Sequence, residues 1–266
     1  MGKIVKFVCV ALTAVLALEV CAFSNVRAED TVPPDAPPTT VAPTTTVAPT
    51  TTVASTTTVA RTTKTVASTT TTTTPRRILK PEDIIKISKI QTNKPIVFIT
   101  IDDGVTVSPE LAKVLDKYHT PVTTFAMPEM LWRARSWYRA RQNMTFENHT
   151  NTHAHMTSIS PSSQVIELCW SNKIIKGLFH ESPIMYRPPR GEWSQENRIA
   201  MAKCGLKYAV LWSVAIESSV PENLVFRKGD IILLHYVRGL STVLEQVLKK
   251  LKEQKLQPAA LRDYLK

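Results

Sequence analysis

Residues 76–266 of this sequence predict an α/β fold in which helices cover a mostly parallel sheet. Apolar, β-branched runs recur along the segment, and several are continuous, as in strands that are buried on both faces. Amphipathic helical patterns separate most of these runs, which favours a parallel sheet with helices outside. Polar side chains follow several of the runs, at the edge where parallel α/β proteins place their active sites.

Six runs are predicted as strands because they are short and rich in β-branched and aromatic residues. In chain order they read PIVFITIDDG, PVTTFAMP, NMTFENHT, PIMYRPPRG, KYAVLWSVAI and GDIILLHYV. Four helices are predicted between or after them. Ser160 and Pro161 mark the start of the second helix, and Ser194 and Gly205 mark the two ends of the third. The four helical segments read SPELAKVLDKY, SPSSQVIELCWSNKIIKGLF, SQENRIAMAKCG and STVLEQVLKKLKEQ.

The amino terminus, residues 1–28, has the plan of a secretory signal peptide. Lys3 and Lys6 precede a short apolar run, and Ala28 provides a small residue at a cleavage point. Secretion or association with the cell envelope is therefore expected. An uncleaved segment would instead anchor the protein in the membrane, and lipidation at Cys21 is a weaker alternative because the preceding residues match a lipoprotein box poorly.

Residues 29–75 repeat units such as TTTVAP and TTTVAS with little change. Threonine, alanine and proline do not bury enough apolar surface to offset the entropy of an ordered chain. We therefore expect a disordered stalk, either an inert spacer or an O-glycosylated one, that holds residues 76–266 away from a surface.

The chain carries 33 Lys and Arg against 22 Asp and Glu, a net charge of +11. Because secretion separates the protein from nucleic acid, anionic wall polymers are the expected partners of this charge. The densest basic segment, RARSWYRARQ (133–142), is either the solvated face of a helix or a contact site for an acidic polymer. The sequence gives no sign of an obligate protein partner.

Two cysteines remain beyond the predicted signal peptide, Cys169 and Cys204. In an oxidising compartment they could pair. Each also lies in a helical pattern, where a cysteine can be a small buried side chain. The two alternatives stay open at this point.

Two acidic residues and two histidines form the first chemical pattern. Asp102 and Asp103 directly follow the strand run IVFITI, where a helix cap or a turn is the alternative explanation. His149 and His153 are four residues apart, so in a helical turn both imidazoles can face the same point. Two histidines and one carboxylate make a three-ligand metal site that leaves positions open, as catalytic zinc sites require.

Five ordered motifs resemble those of the polysaccharide deacetylases, which are the NodB-homology family or carbohydrate esterase family 4. The motifs are TIDDG (100–104), NHTNTH (148–153), RPPRG (187–191), Trp212 after YAVL, and IILLH (231–235). The resemblance spans residues 94–264 and implies a distorted, incomplete (β/α) barrel. It implies a hydrolase that removes N-acetyl groups from an amino-sugar polymer of the cell envelope. The predicted signal peptide and stalk suggest peptidoglycan or another wall glycan, and chitin-like glycans and O-acetylated xylan stay open as substrates.

The resemblance also implies a role for each residue at a motif position. Asp103, His149 and His153 match the ligands of one divalent metal ion, for which zinc is preferred over cobalt, nickel, manganese or iron. His155 is expected to point away from this site. The catalytic matches are Asp102 as the general base, Arg187 as the residue that orients the base, and His235 as the acid that protonates the leaving amine.

Four residues are assigned to substrate contact. Leu233 matches a wall of the acetyl-methyl pocket, and Trp212 matches an aromatic residue of the cleft. Arg190 stands where the family commonly has an aromatic residue, which makes the cleft more basic, and its backbone N–H could donate to an oxyanion. Trp193 is either a core residue or a platform for a sugar ring.

Two departures from the family pattern leave alternatives to an active deacetylase. The acids usually found after Trp212 are missing, so either Arg187 depends more on Asp102 or Glu217 substitutes for them. The segment 125–149 is short for the family, and we expect a more open cleft. The alternatives are a catalytically weakened homologue that binds wall glycans, an amidase or esterase with another acetylated substrate, and a purely structural surface domain.

Overall fold

The computed structural model describes residues 78–265, and their fold confirms the predicted α/β class. The predicted signal peptide (1–28) and stalk (29–75) lie outside the described residues, so both stay predictions. Within residues 78–265, no helix is both long enough and apolar enough to cross a membrane.

The strands of the described segment form one sheet in which the paired strands run parallel. The second strand is buried along nearly its whole length, as its continuous apolar run predicts. The bounds are β1 (Ile85–Ile87), β2 (Ile96–Asp103), β3 (Val122–Ala126), β4 (Met144–Asn148), β5 (Met185–Tyr186), β6 (Tyr208–Val210), β7 (Val214–Ala215), β8 (Ile231–His235) and β9 (Gln257–Pro258).

Helices connect most of these strands, and the four predicted ones are present. The hydroxyls of Ser160 and Ser194 accept the predicted capping hydrogen bonds, from the N–H groups of Ser163 and Asn197. The helices are α1 (Pro109–Tyr118), α2 (Pro128–Arg133), α3 (Arg135–Arg139), α4 (Pro161–Phe179), α5 (Gln195–Cys204) and α6 (Leu240–Glu253). β1 and α2 were not predicted, because elements of six residues or fewer show no clear periodicity, whereas α3 lies within the segment 133–142 for which a helix was one of the two predicted alternatives.

The sheet curls into an incomplete barrel, as the family resemblance implies. Its strand order is β1-β6-β5-β4-β3-β2-β8-β7, with β9 beside β2. β6 and β7 therefore lie near opposite ends of the sheet, although only Leu211–Ser213 joins them. The N–H of Leu211 still donates to the carbonyl of Ile87 on β1, and the N–H of Ser213 already donates to the carbonyl of Ile231 on β8. Because so short a connection spans at most about 14 Å, the two ends of the sheet must lie close together.

This crossing corrects one predicted strand. KYAVLWSVAI was predicted as a single strand, but it forms β6 and β7, which pair with different neighbours. The run stays largely apolar across the crossing, although β6 is buried and β7 is partly exposed. Hydropathy therefore does not reveal where the chain leaves one end of the sheet and joins the other.

Alternation along β2 separates the outer core from the barrel interior. Ile99 and Ile101 belong to the hydrophobic cluster that includes residues of α1 and α6. The side chains of Thr100 and Asp102 point to the opposite face of the sheet from those of Ile99 and Ile101, and both are buried. Asp102 thus reaches the inside of the barrel near its rim.

A disulfide joins Cys169 of α4 to Cys204 of α5, which decides between the two alternatives left open by the sequence. The bond adds to the extensive packing of α4 on α5. These two helices support the loop that follows β4.

Candidate active site

Strand register brings the predicted acids and histidines to one rim of the barrel. Asp102 is paired with His235 on β8, and Asp103 is paired with Ala126 on β3. Ala126 is in turn paired with Asn148, the last residue of β4 before the histidine-rich segment. The ends of four parallel strands therefore converge, as expected for a site in an α/β fold.

Asp103, His149 and His153 present their ligand atoms to a common point. The Nε2 atoms of His149 and His153 each lie 3.4 Å from Oδ1 of Asp103. One ligand atom from each residue lies within 4.8 Å of the others. Asp103 has a φ of 77°, which breaks the alternation of β2, so its carboxylate reaches the same cavity as that of Asp102.

The two histidines are not on a helical turn, so the predicted reason for their convergence is wrong. Residues 149–155 form a loop, and Thr150 and His153 have φ values of 65° and 60°. Glu167 of α4 holds this loop: its carboxylate accepts from the N–H groups of Asn151 and Thr152 at 2.8 and 2.9 Å. It also accepts from the hydroxyl of Thr152 at 3.0 Å.

These three residues fit a divalent metal ion. Oδ1 of Asp103 is buried and has no hydrogen-bond partner, which is costly unless a cation or another donor completes the site. Nδ1 of His149 lies 2.8 Å from the carbonyl oxygen of Arg187, and an N–H there leaves Nε2 with a free lone pair. Burial raises the pKa of Asp103, but the attraction of its carboxylate to the nearby imidazoles of His149 and His153 outweighs this effect and holds the pKa well below its usual range. The carboxylate is therefore a ready anionic ligand.

Asp102 and Arg187 form an ion pair beneath these ligands. Nη1 of Arg187 lies 2.7 Å from Oδ1 of Asp102 and 2.7 Å from the hydroxyl of Thr100. Burial lowers the pKa of Arg187, although the carboxylate of Asp102 opposes this shift. The second carboxylate oxygen of Asp102, Oδ2, lies 4.0 Å from Nε2 of His149. One oxygen of Asp102 is thus fixed by arginine, and the other is directed to the metal-ligand cluster.

A cavity of about 290 Å³ opens over this cluster. Gly191, in the predicted RPPRG motif, has a φ of 73°, and a Cβ there would meet the ring of Trp212 at 3.1 Å. This close approach sets one side of the cavity. Beside the two aspartates and the two histidines of the cluster, the lining residues are Pro188, Arg190, Trp212, Ala215, Ile216, Glu217, Leu233 and His235.

The sequence around this site matches a known protein family. Residues 89–209 match the family model of polysaccharide deacetylases. The matched segment is a polysaccharide deacetylase domain. Both the predicted family and its hydrolase class are therefore confirmed.

Relatives of this deacetylase domain include proteins of similar size. An uncharacterised protein of Streptomyces coelicolor is 25% identical over 190 residues, which are 67% of this chain and 76% of that protein. A mutant with restored activity of a family 4 pseudoenzyme from Bacillus anthracis has a TM-score of 0.61 at 22% identity, covering 71% of this chain and 72% of the other. A peptidoglycan N-acetylglucosamine deacetylase has a TM-score of 0.61 at 21% identity, covering 69% and 94%. At these identities, the solved structures show the shared fold.

Most residues predicted for the site of the deacetylase domain do line the cavity. Leu233, Trp212, Arg190 and His235 are in its wall, and Arg187 lies buried beneath it. Trp193 lies elsewhere: its partly buried ring packs on the second hydrophobic cluster. The individual roles of these residues stay predictions.

His155 and Glu217 both have defined positions. Nδ1 of His155 lies 3.0 Å from a carboxylate oxygen of Glu192, so His155 is directed away from the ligand cluster as predicted. Glu217 lines the cavity and is exposed, whereas Arg187 directs its other N–H groups to the carbonyls of Val210 and Leu211. Beside Asp102, backbone carbonyls thus accept from Arg187, and sequence motifs cannot reveal backbone partners of this kind.

Proposed function

We propose that this protein is a metal-dependent N-deacetylase that acts on an amino-sugar polymer of the cell envelope. The observation that carries the proposal is the placement of Asp103, His149 and His153 beside Asp102 and His235 in one cavity. Acetamide hydrolysis needs a water nucleophile, a base that removes its proton, and an acid that protonates the departing nitrogen.

Asp103, His149 and His153 would hold one divalent ion, and zinc suits this set of two imidazoles and one carboxylate. A bound ion would polarise the acetamide carbonyl and lower the pKa of water. Cobalt, nickel, manganese or iron can occupy the same kind of ligand set.

Asp102 is suited to remove the proton from the attacking water. Arg187 donates to its Oδ1, so Oδ2 is the oxygen left to accept a proton. The fixed guanidinium also limits rotation of the carboxylate, because Arg187 is itself held by three further oxygen acceptors. The base is therefore oriented before a substrate arrives.

His235 is suited to protonate the leaving nitrogen. It lies at the end of β8 beside Asp102 in the strand register, on the wall of the same cavity. When water adds to the carbonyl carbon, the C–N bond breaks, the nitrogen takes a proton from His235, and acetate leaves. Apolar side chains of Leu233, Ile216 and Trp212 form a wall that suits the methyl group of the acetyl moiety.

A wall glycan is the favoured substrate class. One structural relative is a peptidoglycan N-acetylglucosamine deacetylase, and the predicted signal peptide and stalk suit an envelope location. The exposed guanidinium of Arg190 at the cavity gives the site a positive group that would favour a glycan bearing anionic substituents.

Acetate release tests the proposal. Chitooligosaccharides and peptidoglycan would be incubated with wild type and Asp102→Asn, with and without added zinc and a chelator. We expect release by the wild type, its loss with chelator, and a reduction of about 100-fold or more in Asp102→Asn. No release from any acetylated glycan, with intact glycan binding, would instead support the weakened glycan-binding homologue.

A further inference from the structure

A second cavity opens at the same rim of the barrel as the catalytic cavity. It has a volume of about 370 Å³ and is formed by the start of α2, the loop after β4, and α4. No motif of the family resemblance contributes its aromatic residue. Its lining residues include Pro128, Glu129, Trp132, Asn151, Thr152 and Ile174, and we refer to it as the Trp132 pocket.

The Trp132 pocket and the catalytic cavity share one wall. His149 and His153 line the catalytic cavity, while Asn151 and Thr152, between them in the chain, line the Trp132 pocket. Glu167 fixes the backbone of this loop with two hydrogen bonds. The opposite wall begins two residues after Ala126, which is in register with Asp103. A chain molecule lying along the rim can therefore reach both cavities.

The chemistry of the Trp132 pocket suits a sugar ring. Trp132 is 55% exposed, so this large aromatic side chain is accessible at the rim. Arg135 holds it in place, because its guanidinium lies 4.5 Å from the ring centroid and donates to the backbone carbonyl of Trp132. Asn151 supplies an amide to the Trp132 pocket. The carboxylate of Glu129 keeps free acceptor positions beside its hydrogen bond with Arg133. The hydroxyl of Thr152 likewise keeps free acceptor positions beside its hydrogen bond with Glu167. A fixed aromatic face beside such polar groups matches a pyranose, which has an apolar C–H face and a rim of hydroxyls.

We propose that the Trp132 pocket binds a second sugar unit of the polymer whose acetamide lies in the catalytic cavity. The inference rests on the proposed function, because it takes the occupant to be the same glycan chain. It makes Trp132 a determinant of preference for long substrates rather than a residue of the reaction itself.

The test compares a long and a small substrate. We would measure kcat/KM for hexa-N-acetylchitohexaose and for 4-nitrophenyl acetate, which is too small to occupy both cavities. Trp132→Ala should lower kcat/KM for the hexamer about tenfold and leave the small ester within about twofold, because one stacking contact of about 1.4 kcal/mol is removed. Trp132→Phe, which keeps an aromatic face, should retain most of the activity on the hexamer.

Trp170→Ala is the matched control. Trp170 is similarly exposed, at 51%, and it also has a cation over its ring, with Nζ of Lys173 5.0 Å from the ring centroid. It lies outside the Trp132 pocket. Equal effects of the two alanine variants on the hexamer, or no effect of Trp132→Ala, would overturn the inference while leaving the deacetylase proposal intact. If the wild type released no acetate from any glycan, the proposed function would fail. Calorimetric titration with the hexamer would then decide, since binding that is unchanged by Trp132→Ala would overturn the inference as well.

Discussion

Arg187 and Asp102 form an ion pair from which water is excluded, with 2.7 Å between Nη1 and Oδ1 and side chains that are 0% and 3% exposed. The same guanidinium reaches Thr100 on β2 and the carbonyl of Val210 on β6, so it connects strands across the interior of the barrel. The orientation of the proposed base and the packing of the barrel thus depend on one side chain. Their contributions can be separated by experiment.

Arg187→Met should lower the free energy of unfolding by about 3–5 kcal/mol, because it leaves the buried carboxylate of Asp102 without a cation. The double variant Arg187→Met/Asp102→Asn should regain part of this loss, since its amide carries no charge. Chemical denaturation followed by tryptophan fluorescence measures both. A double variant no more stable than Arg187→Met would show that the packing of the guanidinium, and not its charge, dominates.

The three histidines of residues 146–155 should differ in their importance for zinc binding. His149→Ala and His153→Ala should each abolish stoichiometric binding of zinc, because each removes one of three ligand atoms. His155→Ala should bind zinc as the wild type does, since His155 contacts Glu192 instead. Elemental analysis of the purified variants measures the metal content per chain, and loss of zinc from His155→Ala would place that residue in the site after all.

The convergence of these residues could be predicted from the sequence only in part. Asp102, Asp103 and His235 follow apolar strand runs, so their placement at one rim follows from parallel α/β architecture alone. The reason for the approach of His149 to His153 could not be predicted, because it depends on positive φ values at Thr150 and His153 and on support from α4. Local spacing suggested a helical turn, but tertiary contacts decided otherwise.

Local sequence patterns did not predict the curl of the sheet either. Strand order depends on long-range register, and only the family resemblance supplied the barrel. The carbonyl partners of Arg187 at Val210 and Leu211 exist because β6 ends there and the chain crosses to β7. A backbone carbonyl has no sequence signature. Without the fold, the sequence therefore could not show that backbone carbonyls accept hydrogen bonds from Arg187 although the acids of the family pattern are missing.

His235 should matter only where the leaving group needs a proton. His235→Asn should lower kcat for deacetylation of a chitooligosaccharide by about 10²–10⁴-fold, because an amine leaves poorly without general acid catalysis. Its effect on 4-nitrophenyl acetate should be small, since 4-nitrophenolate leaves without protonation. Steady-state kinetics on the two substrates checks this, and equal losses on both would exclude the assigned role of the histidine.

Glu167 should act on the metal site although it is not a ligand. Its carboxylate accepts three hydrogen bonds from Asn151 and Thr152, which lie between the two ligand histidines. Glu167→Ala should weaken zinc affinity by about 10–100-fold, the range typical of residues that orient ligands. Competition with a chromophoric chelator measures the affinity without reference to activity.

Glu192→Ala is the control for Glu167→Ala. Glu192 also binds a neighbouring segment through its carboxylate, but its partners are Thr157 and His155, beyond the ligand histidines. The zinc affinity of Glu192→Ala should remain near that of the wild type. If both variants lost affinity equally, a general loosening of the rim would explain the result and the specific role of Glu167 would be rejected.

Glu147 should give the fold a pH dependence that is separate from the active site. The side chain is fully buried and bonded to Arg262 at the carboxyl-terminal end of the described segment. Burial raises its pKa to about 7, although Arg262 opposes the shift. Between about pH 4.5 and 7 the folded state therefore retains a proton that the unfolded state has lost, so the free energy of unfolding falls as pH rises through this window.

The size of the effect is about 3 kcal/mol, from 1.36 kcal/mol per pKa unit. Denaturant titrations at pH 4.5 to 8 measure it, and Glu147→Gln should remove most of this slope because an amide does not titrate. Glu253→Gln, which changes an exposed carboxylate on α6, should keep the slope of the wild type. Two results would contradict this prediction: a wild-type stability that rises from pH 4.5 to 7, or a slope that is unchanged in Glu147→Gln. Either would mean that Arg262 keeps this carboxylate ionised throughout. The ion pair would then connect β4 to the carboxyl-terminal segment across the whole pH range.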